Sequence, residues 1–219
     1  MTLLVALDRF NQAHPWSHND SFARFVVRRA RRVARAGGSR RQRALDVGCG
    51  TGNLVEHLSG IFSSVVGVRP DPTAARLAAK RFTNSPSVEI EQRCFGDEEP
   101  NRYDFIVFVA SLHHMPLVET LRCAKQSLRS GGWIVIVGVA RETCADTTRS
   151  MLSLVLNPLV GLVRHPSRAT GTLLHMQAPT AAPVESFEEI RRTARDVLPG
   201  IRMRRRLFWR YTATWRSSD

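Results

Sequence analysis

The stretch Ala44-Leu45-Asp46-Val47-Gly48-Cys49-Gly50-Thr51-Gly52-Asn53 decides how the rest of the chain is read. A short apolar run (Ala44, Leu45, Val47) leads into glycines at 48, 50 and 52, and Leu54, Val55 and Leu58 follow at helical spacing. That order spells strand, tight turn, helix. Alternate glycines free the backbone for conformations that a side chain forbids, and they let a ligand lie against the main chain, facing the free amides of the helix start. The dehydrogenase fingerprint G-x-G-x-x-G needs glycine where this chain has Asn53, so a dinucleotide fits the turn poorly.

The segments downstream repeat the alternation. Val65, Val66 and Val68 make a second strand, Arg69 follows it, and Pro72 opens a helix with the stripe Ala75, Leu77, Ala78 and Phe82. Val88 and Ile90 alternate with Glu89 and Glu91 as a half-exposed third strand, after which comes Cys94-Phe95-Gly96-Asp97. Tyr103 to Val109 is a continuous apolar strand of the kind buried in a parallel sheet, and it runs into Ala110-Ser111-Leu112-His113-His114-Met115-Pro116. Leu117, Val118, Leu121, Ala124 and Leu128 form a helical stripe closed by Ser130-Gly131-Gly132, and Trp133 to Val139 is the next buried strand. Strands alternating with helices predict an α/β fold.

Both ends add to this core. Phe22, Phe25, Val26, Ala30 and Val33 share one helix face, with Arg24, Arg28, Arg31, Arg32 and Arg35 largely on the other. Asn19, Asp20 and Ser21 are its candidate N-caps and Gly37-Gly38 its stop. Met151 to Val163 is apolar apart from Ser153 and Asn157, and Pro158 is expected to break it. It reads as a buried cover helix, with a cap on a hydrophobic substrate pocket or a peripheral contact with a membrane surface as alternatives. His165 to Pro183 reads as a long loop. Ser186 with Glu189 makes a capping box for a helix ended by Pro199-Gly200, and Ile201 to Arg206 and Leu207 to Trp215 read as two final strands.

The glycine turn with Asp46 before it resembles motif I of the class I S-adenosylmethionine-dependent methyltransferases. Leu-Arg-Ser-Gly-Gly before a strand resembles a later landmark of that family, so the resemblance spans about residues 43 to 139. It implies a Rossmann-like, doubly wound, mostly parallel seven-stranded sheet with an antiparallel C-terminal strand, and S-adenosyl-L-methionine as cofactor. By this resemblance Gly48, Gly50 and Gly52, with Cys49 and Thr51 between them, wrap the amino acid part of the cofactor. Asp46 receives its ammonium, directly or through water, Asp97 accepts from the adenine amino group, and Ala110 completes the cofactor-binding set. The ribose position departs from the pattern. The family places an acidic residue after the second strand, whereas this chain has Arg69, which has donors only. Asp71, two residues on, is the candidate replacement. Arginine there is what a dehydrogenase uses for a 2′-phosphate, so an NADP reading and a catalytically degenerate relative both stay open.

The segment His14-Pro15-Trp16-Ser17-His18-Asn19-Asp20 resembles a lid in a group of bacterial small-molecule enzymes, which brings Trp16 to the cofactor and His18 to the acceptor. Leu112-His113-His114 resembles the same strand end in the small-molecule, methyltransferase type 11-like branch, and the Asn-Pro-Pro-Tyr type signature of enzymes acting on nucleobase amino groups is absent. His113, His114 and His18 are therefore the candidates to orient or deprotonate a small, apolar or aromatic acceptor at oxygen or carbon. Methyl transfer needs mainly alignment, so a base is optional.

At 219 residues, 43% hydrophobic and 23% charged, the chain fits one domain. Its parts are a lid and helix (1–38), a cofactor-binding core (39–139), an inserted cover region (140–185) and a terminal helix and hairpin (186–219). The net charge is +13, and of 32 basic residues only Lys80 and Lys125 are lysine. Arginine concentrates in Arg24 to Arg43 and Arg191 to Arg216, a balance that permits nucleic acid, anionic lipid or acidic substrates as partners. An RNA-binding methyltransferase or RNA-binding module is accordingly the alternative function, and arginine on solvated faces the plainer account. Four cysteines without C-x-x-C spacing suggest neither a zinc site nor a disulfide framework and fit a reduced, cytoplasmic setting. Met1 to Phe10 is too short a run for a signal peptide, and no apolar run reaches ~18 residues, so neither secretion nor a membrane span is expected.

Overall fold

The computed structural model describes residues 18–38, 40–164 and 182–218. The lid around Trp16 and the loop expected from His165 fall outside the described residues, apart from 182 and 183.

Seven strands, β1 (Arg43–Val47), β2 (Ser64–Val68), β3 (Val88–Glu91), β4 (Tyr103–Val109), β5 (Leu128–Val139), β6 (Arg202–Arg205) and β7 (Arg210–Arg216), form one sheet in the order β3-β2-β1-β4-β5-β7-β6. β1 to β5 are parallel, and β7 pairs antiparallel with both β5 and β6. This is the Rossmann-like arrangement expected. The strand order reverses between β1 and β4, so a crevice opens beyond their carboxyl ends, where open α/β sheets take ligands.

The helices are α1 (His18–Ala36), α2 (Asn53–Ser59), α3 (Pro72–Arg81), α4 (Leu117–Ser127), α5 (Thr147–Arg164) and α6 (Phe187–Val197). On one face of the sheet, Leu121 and Ala124 of α4 and Ile190 and Ala194 of α6 pack against Ile106, Ile134 and Tyr211. On the other, Val26, Ala30 and Val33 of α1 and Leu58 of α2 pack against Phe105, Val107 and Val135. β4 is buried from Tyr103 to Phe108 because helices cover both faces, and each large apolar side chain contributes about 1.5–3 kcal/mol by leaving water. None of the helices among the described residues is long and apolar enough to cross a membrane.

Five expectations are corrected. α1 begins at His18, so Asn19, Asp20 and Ser21 lie in its first turn rather than capping it; polar and acidic residues suit that turn as well as the cap. Ser130-Gly131-Gly132 do not separate helix from strand. β5 already starts at Leu128, and the pairing jumps from Tyr103↔Leu128 to Phe105↔Trp133, an irregularity made possible by Gly131 at φ +73°. Asp104 sits at this irregularity, 1% exposed, and ties it together by accepting from Arg40, Arg129 Nη1 (2.9 Å) and the Arg43 amide (2.9 Å). Pro158 does not break α5, which runs through it for 18 residues. The helix is anchored outside itself one turn before the proline, where Ser153 Oγ accepts from the Phe208 amide at 2.8 Å. Nor is this helix buried throughout, since Met151 and Leu152 are exposed. Finally, Phe208 and Trp209 are not strand residues. Both take positive φ (59° and 55°) and turn the chain from β6 into β7.

Candidate active site

β1 carries Asp46 to the edge of the crevice, where the chain turns. Gly48 (φ +81°) and Cys49 donate their amides to the Val68 carbonyl at 2.9 and 3.3 Å, which ties the turn to the end of β2. A Cβ on Gly48 would lie 2.5 Å from Ser111 Cβ, so only glycine lets the end of β4 approach. Ser111 in turn donates to the Val47 carbonyl at 2.5 Å, holding the two strand ends together. Gly52 (φ +86°) caps α2 against Phe82, whose ring a Cβ would meet at 2.5 Å. Gly50 differs from both. At φ +58° it faces open space, and a Cβ there would meet only Arg69 Nη1, at 3.8 Å. Thr51 is half-buried, and its carbonyl accepts from Arg81 at 3.4 Å. Two of the three glycines thus serve packing and one borders empty volume.

Asp46 is 2% exposed, its Oδ2 is buried, and no described residue donates to that oxygen. Burial pushes its carboxyl up to about 7. The neighbouring Cys49 thiol is pushed up to about 12 by burial and by Asp46, so it is not a nucleophile at neutral pH. A buried carboxyl oxygen with no donor, in the strand that leads into an open glycine, is satisfied either by its own proton or by an arriving donor, and a ligand ammonium fits that need.

At the end of β2, Arg69 lies over the turn with its Nε buried and 3.8 Å from Asp71 Oδ1. Asp71 caps α3, accepting from the Ala74 amide at 2.7 Å, so one of its oxygens is committed. Beyond β3, Asp97 is exposed, whereas the side chain of its neighbour Glu98 is fully buried, held by Arg93 and by Tyr103 Oη at 2.9 Å. The acidic loop is therefore divided: Glu98 fixes its shape and Asp97 points to solvent.

The end of β4 completes the crevice. Ala110 takes φ +52° and donates its amide to the Val137 carbonyl at 2.8 Å, redirecting the chain into the short 3-10 turn Leu112–His114. The His113 and His114 rings lie 3.9 Å apart between centroids. His114 is exposed. His113 is half-buried, its Nδ1 lacks a partner among the described residues, and burial, then His114 and Arg210, hold it down to about 4. It is therefore neutral at pH 7. His18 is the first residue of α1, and Trp16 lies outside the described residues.

Three participants went unnoticed in the sequence. Ser111 and Glu98 carry no pattern that separates them from ordinary loop residues. Arg210 belongs to an arginine-rich segment, and only the β5–β7 pairing, Val139↔Arg210, brings it to the carboxyl end of the sheet near His113.

A family model described as a methyltransferase domain matches residues 17–191. An uncharacterized methyltransferase of Mycobacterium tuberculosis (strain ATCC 25618 / H37Rv) is 30% identical over 181 residues, 80% of this chain and 87% of that protein. A ubiquinone biosynthesis O-methyltransferase of Nitrosospira multiformis is 28% identical over 157 residues, 64% of this chain and 62% of that protein. Among solved structures, a SAM-dependent methyltransferase of Aquifex aeolicus superposes with a TM-score of 0.54 at 17% identity, covering 85% of this chain and 88% of its own.

Proposed function

The chain belongs to the methyltransferase domain family, and on that premise we propose that it transfers a methyl group from S-adenosylmethionine to an oxygen or carbon of a small acceptor with an apolar or aromatic body. The observation that carries this reading is the unsatisfied Asp46 Oδ2 beside the open side of Gly50. The name of the Nitrosospira relative, an O-methyltransferase, supports oxygen as the accepting atom.

Bound in the crevice, S-adenosylmethionine supplies an electrophilic methyl group on a sulfonium. Asp46 accepts from its ammonium and is held ionised by it, while the turn from Gly48 to Gly52 leaves the amino acid part room against the backbone. Arg69 offers the ribose oxygens N–H donors where relatives of this fold offer a carboxylate, and the Asp71 oxygen not spent on the helix cap accepts one hydroxyl proton. Asp97, in solvent at the rim, accepts from the adenine amino group. Neutral His113 stands near the end of β4, fit to orient a hydroxyl, while the low basicity that burial gives it makes it a weak base at neutral pH. The larger contribution is alignment of acceptor atom, methyl carbon and leaving sulfur.

Isothermal titration with S-adenosylhomocysteine, with NADPH in parallel, tests the reading. Micromolar binding of the first and silence from the second are expected. Gly50→Leu should then weaken S-adenosylhomocysteine by more than about a hundredfold while keeping the wild-type circular dichroism, since the left-handed backbone strain of about 1–2 kcal/mol is tolerable in a domain of this size. NADPH binding alone, or unchanged affinity in Gly50→Leu, refutes it.

A further inference from the structure

A second recess lies beside the first, under α5 and at the carboxyl end of β5. It is a narrow cleft of about 40 Å³, room for a small head group rather than for a whole molecule. Five guanidinium groups line it, those of Arg141, Arg149, Arg205, Arg206 and Arg210, together with two carboxylates, Glu142 and Asp146. The chain's own charges neutralise only part of this wall. Arg205 is held by Asp146 and by Glu188 (3.3 Å), and Arg141 pairs with Glu189 (3.2 Å). Glu142 accepts from Ser150 and has no arginine partner among the described residues. Arg206 spends its Nε on Thr212 Oγ1 (3.0 Å), and neither it nor Arg149 pairs with a carboxylate among the described residues. Arg210 is largely removed from water, and its charge reaches His113. Trp209 and Ala140 supply apolar lining between these groups.

The position matters as much as the charge. Val139, the last residue of β5, pairs with Arg210, and the Arg206 amide donates to the Arg210 carbonyl at 2.7 Å, closing the hairpin beside the strand ends that carry the crevice. A wall of guanidinium groups in a cleft too small for a macromolecule selects an oxyanion, because the fork of N–H donors matches a carboxylate or phosphate.

We propose that this cleft is the head-group subsite for the methyl acceptor, and that the acceptor is an amphipathic organic anion whose carboxylate or phosphate is held by Arg206 and Arg149 while its apolar body lies along Trp209 and Ala140. This rests on the methyltransferase reading above and adds the substrate's charge to it. The apolar or aromatic body expected of the acceptor is retained, and an acid group is joined to it.

The test uses octanoate, octyl phosphate and octanamide as probes of equal chain length, titrated into the whole protein with and without S-adenosylhomocysteine, whose own affinity is measured separately. Either anion should bind at least about tenfold tighter than octanamide, and the tighter of the two identifies the head group. The double variant Arg149→Gln/Arg206→Gln should lose that difference while keeping its circular dichroism and its S-adenosylhomocysteine affinity. Glu142→Gln, which removes the cleft's unpaired negative charge, should tighten the anion, a gain that misfolding does not produce. Equal binding of octanamide and the anions, no binding of either anion, or full anion affinity in the double variant overturns the proposal. Failure of S-adenosylhomocysteine to bind the wild type would instead strike the methyltransferase reading, and the anion titrations without it would still report on the cleft.

Discussion

Asp46 is buried without a partner for one oxygen, and the stability of the protein should register it. Its carboxyl titrates near 4 in an unfolded chain and is pushed up to about 7 in the folded one, so the folded state binds this proton more tightly. Stability from this group is therefore full below about pH 4 and declines as pH rises to about 7, by at most about 4 kcal/mol. Asp46→Asn removes the titrating group. The variant should melt higher than wild type at pH 8, the gain should shrink at pH 5, and S-adenosylhomocysteine should bind it more than about tenfold more weakly. In the wild type, an arriving ammonium lowers the carboxyl again, so binding near pH 7 should release about half a proton, read by calorimetry in buffers of different ionisation enthalpy. A pH-independent difference in melting between the two proteins would show that Asp46 is not strained. The glycine turn could be picked out in the sequence by its alternating glycines between an apolar run and a helical stripe, and Asp46 by the resemblance of that stretch to a methyltransferase motif. The arginines of the cleft could not, since six residues from Ile201 to Arg206 include four arginines and no spacing says which reach the crevice.

At the scale of elements, the β6–β7 hairpin and α5 hold each other. Phe208 and Trp209 both adopt left-handed conformations, which cost a non-glycine residue about 1–2 kcal/mol each. Ser153, 1% exposed on α5, accepts from the Phe208 amide at 2.8 Å and donates to the Arg149 carbonyl at 2.7 Å. Ser153→Ala strands that amide, a loss of about 1–3 kcal/mol. Hydrogen exchange should accelerate in residues 147–164 and in residues 206–210 together. Acceleration in only one of the two segments would show that they are not coupled. The regular elements were legible wherever burial repeated at a fixed period: β4 has the bounds expected from Tyr103 to Val109, and the Ser186–Glu189 capping box is present at α6. The sequence misled where a distant contact outweighed local preference. Pro158 ought to end a helix, but α5 runs through it and is also tied to the hairpin at Ser153. Ser130-Gly131-Gly132 ought to separate α4 from β5, but β5 already pairs at Leu128, and Asp104 gathers three donors around the irregularity.

Across the whole molecule the two arginine concentrations, distant in sequence, meet. Arg29 of α1 lies 5.6 Å from the Phe25 ring centroid and 5.9 Å from that of Trp133 at the root of β5. Its pKa is lowered by burial first, and then by Arg32, Arg28, Arg202 and Arg204, the last two from β6. None of these five arginines has an ion pair with a carboxylate among the described residues, so on this flank of the sheet the net charge of +13 is a local repulsion as well as a global one. Screening acts on such a surface more than on a buried pair, because the Debye length falls from about 10 Å at 0.1 M to about 3 Å at 1 M salt. Raising sodium chloride from low to near-molar concentration should therefore raise the melting temperature. Arg202→Gln/Arg204→Gln, on the exposed side of an edge strand, should raise it at low salt and flatten its dependence on salt. Opposing this, the surface ion pairs, such as Arg43 with Glu89 at 3.1 Å, weaken under the same screening, each by at most about 1 kcal/mol. A melting temperature that falls with salt would mean that those pairs outweigh the flank, and that the arginine surface carries no stored repulsion for a partner to relieve.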